Sequence, residues 1–186
     1  MKLKRAPQNL RHAGRQSPFR QAARLTRAVA CVFAVAACAP VPSGPPTSAQ
    51  KEAFGDQARG VLQTMRACDQ AAGRAGVGEG QVNYEAALSA QAECARTANT
   101  LQNFRFDVGQ QFQQPLDGAM SACWAAYDAK ARRLARLAMT INGVAKADPS
   151  QANDDADSAD DAAKACKADL MRKAHGLGFD TGGLSV

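Results

Sequence analysis

Four cysteines constrain the fold of this 186-residue chain most, because each lies on a separate run of apolar residues with helical spacing. In the first run the apolar residues recur every three or four positions, the spacing of one helix face: Phe54, Ala58, Val61, Met65, Cys68 and Ala72. Comparable runs carry Cys94, Cys123 and Cys166. We therefore predict an all-α fold, a small antiparallel bundle of about four helices with one inward-facing cysteine on each.

Glycine and capping residues set the predicted limits of the first two helices. The first helix covers about 49–72 and ends at the glycine-rich segment 73–80. The second helix begins near Asn83, and its continuation through Phe104 to Val108 is left open.

Proline, serine and glycine set the limits of the other two helices. Pro115 is expected in the first turn of the third helix, where proline is favoured, and Asn142-Gly143 at its end. The fourth helix is expected to have Ser158 as its N-cap and to end at Gly176 or Gly178.

The core predicted from composition is weak and needs covalent braces. From residue 38 onward, Leu, Ile, Val and Phe make up only about one residue in seven, and alanine, a strong helix former, is abundant. Because alanine buries little apolar area, the helices should gain little from packing alone. The four cysteines Cys68, Cys94, Cys123 and Cys166 are expected to form two disulfides. The sequence contains no Cys-x-x-Cys pair, the spacing typical of zinc sites, so we expect no bound metal.

Helical register favours one disulfide pairing. Facing residues of an antiparallel hairpin have a constant sum of positions, and Cys123 with Cys166 centres on the Asn142-Gly143 turn. The same register places basic residues of the third helix opposite the aspartate-rich segment 148–161: Lys130 faces 159, Arg132 faces 157, Arg133 faces 156 and Arg136 faces 153. The register therefore favours Cys123–Cys166, and Cys68 and Cys94 then pair by elimination. Cys94–Cys123 with Cys68–Cys166 stays open as the alternative.

The N-terminal segment has the order of features of an export signal. Eight Lys and Arg residues precede an uncharged run, Ala28 to Ala37, whose ten residues would span only about 15 Å as a helix. A membrane-spanning helix needs about 20 residues. The last four residues of this region, Val35-Ala36-Ala37-Cys38, resemble the lipobox of bacterial lipoprotein precursors. The resemblance implies cleavage before Cys38 and lipidation of that cysteine. Lipidation at Cys31 and an ordinary cleaved signal peptide remain the alternatives.

The resemblance divides the chain into four parts. Residues 1–37 are the expected signal peptide, 38–48 the lipidated cysteine and a Pro-rich tether, 49–180 the helical domain and 181–186 a flexible tail. The expected location is the periplasmic face of the cell envelope, with the membrane reached through the lipid anchor. Ala39 in place of an aspartate favours the outer membrane over the inner membrane.

The basic charge of the chain lies in the expected signal peptide. The whole chain has 23 Lys and Arg and 17 Asp and Glu, and residues 1–37 hold eight of the bases and none of the acids. The remaining residues therefore carry a formal charge of −2 (15 bases minus 17 acids). The excess of basic residues in the whole chain therefore gives no support to nucleic-acid binding, and we expect no nucleic-acid partner.

Few residues suggest chemistry. The segment 153–161 carries aspartates with the spacing of a calcium loop, but the turn glycine is replaced by Ser158 and the twelfth position is Lys164. A helix start, where acids are favoured, explains the segment better. His175 falls in the last turn of the fourth helix, and no carboxylate pair suggests general acid–base catalysis. We expect no catalytic residue and no cofactor, so the protein is predicted not to be an enzyme.

The predicted function is protein–protein binding by a scaffold or adaptor, with an unknown envelope protein as partner. Trp124, beside Cys123, is either a core residue or an anchor for that partner. The alternative function is inhibition of a hydrolase. The chain resembles small exported lysozyme inhibitors in its four spaced cysteines and its tryptophan, although the Gln-x-x-Trp-x-x-x-Arg run expected in those proteins is missing around Trp124.

Overall fold

The computed structural model describes residues 44–76, 82–145 and 148–184. These residues form four helices and no strand: α1 Ser48–Arg74, α2 Tyr84–Asn103, α3 Gln110–Ile141 and α4 Pro149–Gly176. Consecutive helices are antiparallel, and α3 packs closely against both α2 and α4. The predicted all-α bundle with two disulfides is confirmed.

The start of α1 is fixed by a capping box. The Thr47 hydroxyl accepts the backbone N–H of Gln50, and the Gln50 side chain accepts the backbone N–H of Thr47 at 2.9 Å. Both groups would otherwise be unpaired at the helix start. Pro46 just before it is buried, and a Cβ added at Gly178 would lie 3.2 Å from its Cδ atom. The end of the expected tether therefore packs against the domain.

The helix α2 ends at Asn103, so its continuation to Val108 is wrong. Phe104, the C-cap, has extended backbone. Phe106 and Val108 in the connection that follows are both fully buried. An extended chain points every second residue to the same side, so these two residues can both face the core.

The helix α3 begins one turn earlier than predicted. Gly109 precedes it with a φ of 93°, and Pro115 lies inside the helix rather than in its first turn. Phe112 is buried together with Leu116, which extends the apolar stripe of α3 toward its N-terminus. The burial of this additional turn favours helix there, although a proline cannot donate the usual helical hydrogen bond.

The helix α4 also begins earlier than predicted, and Ser158 is not its N-cap. Asp148 is the cap and accepts the backbone N–H of Ser150 at 2.8 Å, while Pro149 occupies the first turn. Ser158 lies within the helix, where its hydroxyl donates to the carbonyl of Asp154 at 2.9 Å. The aspartate-rich segment is regular helix and not a calcium-binding loop.

The ends of α3 and α4 share one turn geometry. Gly143 and Gly178 have φ values of 71° and 88°, and the residue after each glycine bonds back to a carbonyl five residues earlier. This Schellman geometry usually folds the residue after the glycine back against its helix. In α4 that residue is Phe179, which is buried, whereas in α3 it is Val144, which is 69% exposed. The helix ends predicted at Asn142-Gly143 and Gly176 are confirmed.

Aromatic residues fill the end of the bundle where α1 begins and α4 ends. Phe179 stacks on Phe54 with ring centroids 4.6 Å apart and meets Phe112 edge-on at 5.2 Å. Phe106 also lies against Phe54, with ring centroids 4.9 Å apart. Leu184 is also buried, so residues 181–184 of the segment expected to be a flexible tail return to the core.

Candidate functional site

The disulfides join neighbouring helices within each hairpin. Cys68 bonds to Cys94 between α1 and α2, with Cα atoms 4.6 Å apart. Cys123 bonds to Cys166 between α3 and α4, with Cα atoms 5.1 Å apart. These are the pairs favoured by register, and the alternative pairing is not present.

The register predicted for α3 and α4 is observed, but one of the ion pairs predicted from it does not form. Arg133 contacts Asp155 at 2.5 Å, and Arg136 approaches the same carboxylate at 3.6 Å. Arg132 does not reach α4 and pairs with Asp128 one turn earlier on its own helix. The basic face of α3 is thus only partly neutralised across the helix pair.

Lys130, expected to face position 159 of the aspartate-rich segment, is buried, with only 1% of its surface exposed. Its Nζ donates to Asp69 of α1 at 2.8 Å and to Asp160 of α4. A buried ammonium needs such partners, because its desolvation is otherwise very costly. One lysine therefore connects three helices by charge-assisted hydrogen bonds.

Two further groups donate hydrogen bonds to the carboxylate of Asp69. Lys167 donates to it at 2.8 Å, and the hydroxyl of Tyr127 donates to it at 3.1 Å. Burial, followed by the charge of Asp69, raises the pKa of the Tyr127 phenol far above its ordinary value, so the phenol stays protonated as a donor. We call Asp69, Tyr127, Lys130, Asp160 and Lys167 the buried charge network.

Asp160 remains ionised within this network. Burial alone would raise its pKa, but hydrogen bonds from Lys130 and Lys164 outweigh burial, and the pKa of Asp160 lies below its ordinary value. A cleft of about 200 Å³ between α1 and α4 reaches the network, lined in part by Lys164 and Lys167. All four ionised side chains that line this cleft are paired with one another or with Lys130.

Sequence reasoning missed the network, although one signal of it was visible. Lys130 follows Tyr127 by three residues and precedes Leu134 by four, the spacing of the buried stripe of α3. A lysine on such a stripe predicts a buried counter-charge. Asp69 gives no comparable signal, since only the packing of α1 brings it there.

A second cleft lies between the end of α2 and the first half of α3. Its volume is about 190 Å³, and Leu101, Arg105, Asp117 and Trp124 are among the residues that line it. Trp124 is partly buried and packs against the core, so it is both a core residue and a surface residue. We call this the Trp124 cleft.

Other candidate residues lie apart from both clefts. His175 is exposed in the last turn of α4. Within residues 44–76, 82–145 and 148–184, no group of three His, Cys, Asp or Glu side chains is arranged to hold a metal ion. None of α1 to α4 combines the length and hydropathy that a membrane span requires. Cys38 and Cys31 lie outside the described residues.

Comparison of the chain with protein families, with curated proteins and with solved structures gives no match. The functional argument therefore rests on this chain's own residues.

Proposed function

We propose that this protein is a lipid-anchored component of the bacterial cell envelope that binds another envelope protein and carries out no catalysis. The observation that carries the proposal is the order of features at the N-terminus: basic residues, a short apolar run, Val35-Ala36-Ala37-Cys38 and a proline-rich tether. Cleavage before Cys38 leaves this cysteine as the lipidated N-terminus. Ala39 after it favours the outer membrane.

The entry point of the tether supports an anchored arrangement. Pro46 contacts the domain at Gly178, where α1 begins and α4 ends. The turn at Gly143 lies at the opposite end of α3, whose 32 residues span about 48 Å. A domain standing upright on its tether would hold this turn far from the membrane surface.

The domain suits a binding role because it is braced by covalent bonds and buried ion pairs and has a surface cleft beside Trp124. Each helical hairpin is closed by a disulfide, and the buried charge network connects α1, α3 and α4. Rigid surfaces lose less conformational entropy when a partner binds. The Trp124 cleft offers a tryptophan, the residue type enriched at binding hot spots.

The anchor is tested by labelling cells with palmitate. A Cys38→Ser precursor should lose the label, because no thiol remains to take the lipid, and a Cys31→Ser control should keep it. Membrane fractionation should then find the wild-type protein in the outer membrane. Full labelling of Cys38→Ser would contradict the proposal, and loss of labelling in Cys31→Ser would move the anchor to that residue.

The binding role is tested by cross-linking in intact cells, followed by identification of the partner and reconstitution with the purified pair. Reconstituted binding of an envelope protein supports the proposal. If the purified protein instead inhibits lysozyme in a mixing assay, the alternative function replaces it. If no partner is cross-linked and no hydrolase is inhibited, the binding role is wrong.

A further inference from the structure

We propose that two copies of this protein associate through the outer face of α3 and α4 near the Gly143 turn, related by a two-fold axis parallel to the helices. The inference goes beyond the proposed binding of another envelope protein. It begins from exposed apolar side chains, of which the described part of the chain has four large ones. Three of these lie together at the end of α3: Met139 is 45% exposed, Ile141 36% and Val144 69%. Clustered apolar side chains mark interaction sites more often than single ones do.

Val144 lacks the contact that its turn geometry normally provides. In a Schellman turn the residue after the glycine usually packs against the last turn of its own helix. Phe179 is buried in this position after α4. Val144 has the same backbone geometry, since its N–H donates to the carbonyl of Met139 at 2.9 Å, yet its side chain points into solvent. Its apolar surface is therefore available to another chain, and its burial would favour association.

The charged residues beside this apolar end of α3 are sorted by helix. On α3 the exposed arginines Arg132 and Arg136 lie four residues apart, one turn along the same side. On α4 the exposed aspartates Asp154 and Asp161 lie seven residues apart, two turns along the same side. Arg136 approaches Asp155 of α4 at 3.6 Å, so the outer sides of the two helices form one continuous face. The α3 half of this face is basic and the α4 half is acidic.

These charges are only partly neutralised within one copy. Asp154 makes no ion pair with any residue that the structure describes, and Asp161 has only Lys164, at 3.5 Å. Arg132 and Arg136 each contact one carboxylate of their own chain. A guanidinium has five N–H donors, so an exposed arginine with one carboxylate partner can bind a second one. The face therefore has carboxylates without sufficient counter-charge and arginines with donors to spare.

A two-fold axis parallel to the helices pairs the two halves of the face. In the register of α3 and α4, Arg132 is level with position 157 and Arg136 with position 153, so the arginines and the aspartates lie at the same height. Rotation by 180° about this axis places α3 of one copy on α4 of the other at unchanged height. The basic half of each copy then meets the acidic half of the other, as a two-fold interface requires. Val144, in the connection between the two helices, lies near the axis.

The direction of the axis also suits an anchored protein. Pro46, at the entry of the tether, lies beside the start of α1. An axis parallel to the helices keeps both tethers at the same end of the dimer, so both lipids reach one membrane. An axis perpendicular to the helices would point the two tethers in opposite directions. Only this step of the inference rests on the proposed anchor.

The size of the face predicts a weak dimer. Residues 129–144 span about 24 Å along α3, and two adjacent helices are about 20 Å wide, which gives about 500 Å² for each copy. The total of about 1,000 Å² lies near the lower limit for a specific interface. A dimer of this size dissociates on dilution. Anchoring of both copies in one membrane raises their effective concentration and favours the dimer there.

The position of the axis is tested by disulfide trapping in membranes. Val144→Cys introduces a free thiol near the axis, and the other cysteines of the domain are already in disulfides. Leu88→Cys is the matched control, because Leu88 is the fourth exposed large apolar residue and lies on α2. After oxidation with copper phenanthroline, Val144→Cys should give a covalent dimer of twice the monomer mass, and Leu88→Cys should stay monomeric. No dimer, equal dimer from both variants, or a product that contains a different protein would overturn the inference.

The pairing of charges is tested by mixing two variants of the processed lipoprotein in detergent. One carries Arg132→Glu and Arg136→Glu, and the other carries Asp154→Lys and Asp161→Lys. After circular dichroism confirms their helicity, sedimentation equilibrium at high protein concentration measures association. Each variant alone should associate at least about tenfold more weakly than the wild type, because like charges meet. The equimolar mixture should recover to within about threefold of the wild type, because each half then meets its opposite charge.

The mixture decides between self-association and a general effect of charge. If the mixture associates no better than the separate variants, or if each variant alone associates like the wild type, the inference is wrong. This experiment uses neither the lipid anchor nor another envelope protein. Its outcome is therefore independent of whether the proposed function holds.

Discussion

Replacement of Lys130 by methionine would test whether the buried charge network stabilises the bundle. Methionine has nearly the same length and shape as lysine, so packing changes little while the charge is removed. Asp69 and Asp160 would then lose the ammonium that bridges them. Both would be left as partly buried carboxylates with one lysine each, Lys167 and Lys164.

The magnitude follows from burial. Removal of one partner from a fully buried ion pair costs about 3–5 kcal/mol in unfolding free energy. The carboxylates here are 22% and 23% exposed and keep a second lysine. We therefore expect Lys130→Met to lower the unfolding free energy by about 2–3 kcal/mol, at or just below the lower limit of that range. Urea unfolding at pH 7 with the disulfides intact measures it.

Two comparisons make the expectation specific. Lys164→Met removes a lysine that is 64% exposed and should cost only about 0.5 kcal/mol. The loss caused by Lys130→Met should shrink as the pH falls below 3.8, the ordinary pKa of the Asp160 carboxyl, because a protonated carboxyl needs no counter-charge. The direction of this pH dependence follows from the lowered pKa of Asp160. Its ionised carboxylate stabilises the fold above pH 3.8, and this stabilisation is lost as the pH falls below that value. Equal costs for the two lysines, or a loss independent of pH, would refute the reasoning.

Three other substitutions test separate parts of the structure. Arg133→Glu should destabilise the fold more than Arg132→Glu at low salt, by about 0.2–1 kcal/mol, because of these two arginines only Arg133 pairs with Asp155 of α4. Thermal unfolding measures the difference, and equal effects would contradict the observed pairing. Asp157→Asn should raise stability by about 0.5 kcal/mol at pH 7, as measured by thermal unfolding. Slight burial, followed by repulsion from the neighbouring aspartates, disfavours the ionised carboxylate and raises the pKa of Asp157, so removal of the charge relieves this cost. That gain should vanish below pH 3.8, where the carboxyl is protonated, and a gain that persisted there would have another cause. Phe179→Ala should cost about 3–5 kcal/mol in urea unfolding, since its side chain is 2% exposed, and a cost below 1 kcal/mol would mean that the turn after α4 does not hold it in the core.

Residues with regular spacing were predictable from the sequence, and so was the pairing of helices that depends on them. The stripe through Phe54 and Met65 predicted α1, and the register about Gly143 placed Arg133 near its partner on α4. Both arguments use only the helical period, which is the same in every protein. The helix starts at Gln110 and Pro149 were predicted too late, because tertiary burial and an aspartate cap outweighed local signals at Pro115 and Ser158.

The candidate sites were less predictable because they depend on how whole helices lie side by side. Lys130 lay on the buried stripe, but nothing local identified Asp69, 61 positions earlier, as its partner. Trp124 was recognised as core or anchor, whereas the cleft beside it depends on where α2 ends and on how α2 packs against α3.

The disulfide connectivity has a consequence for how the chain oxidises. The four cysteines of the domain pair in the order in which they occur along the chain, the first with the second and the third with the fourth: Cys68 with Cys94 and Cys123 with Cys166. A chain that meets an oxidant with its N-terminus first would therefore form each native bond as soon as the second thiol emerged, before a competing thiol became available. Under the proposed processing, Cys31 is removed and the thiol of Cys38 carries the lipid. The same step that anchors the protein would then remove the two cysteines that could trap Cys68 in a wrong pair, so maturation would need little disulfide exchange.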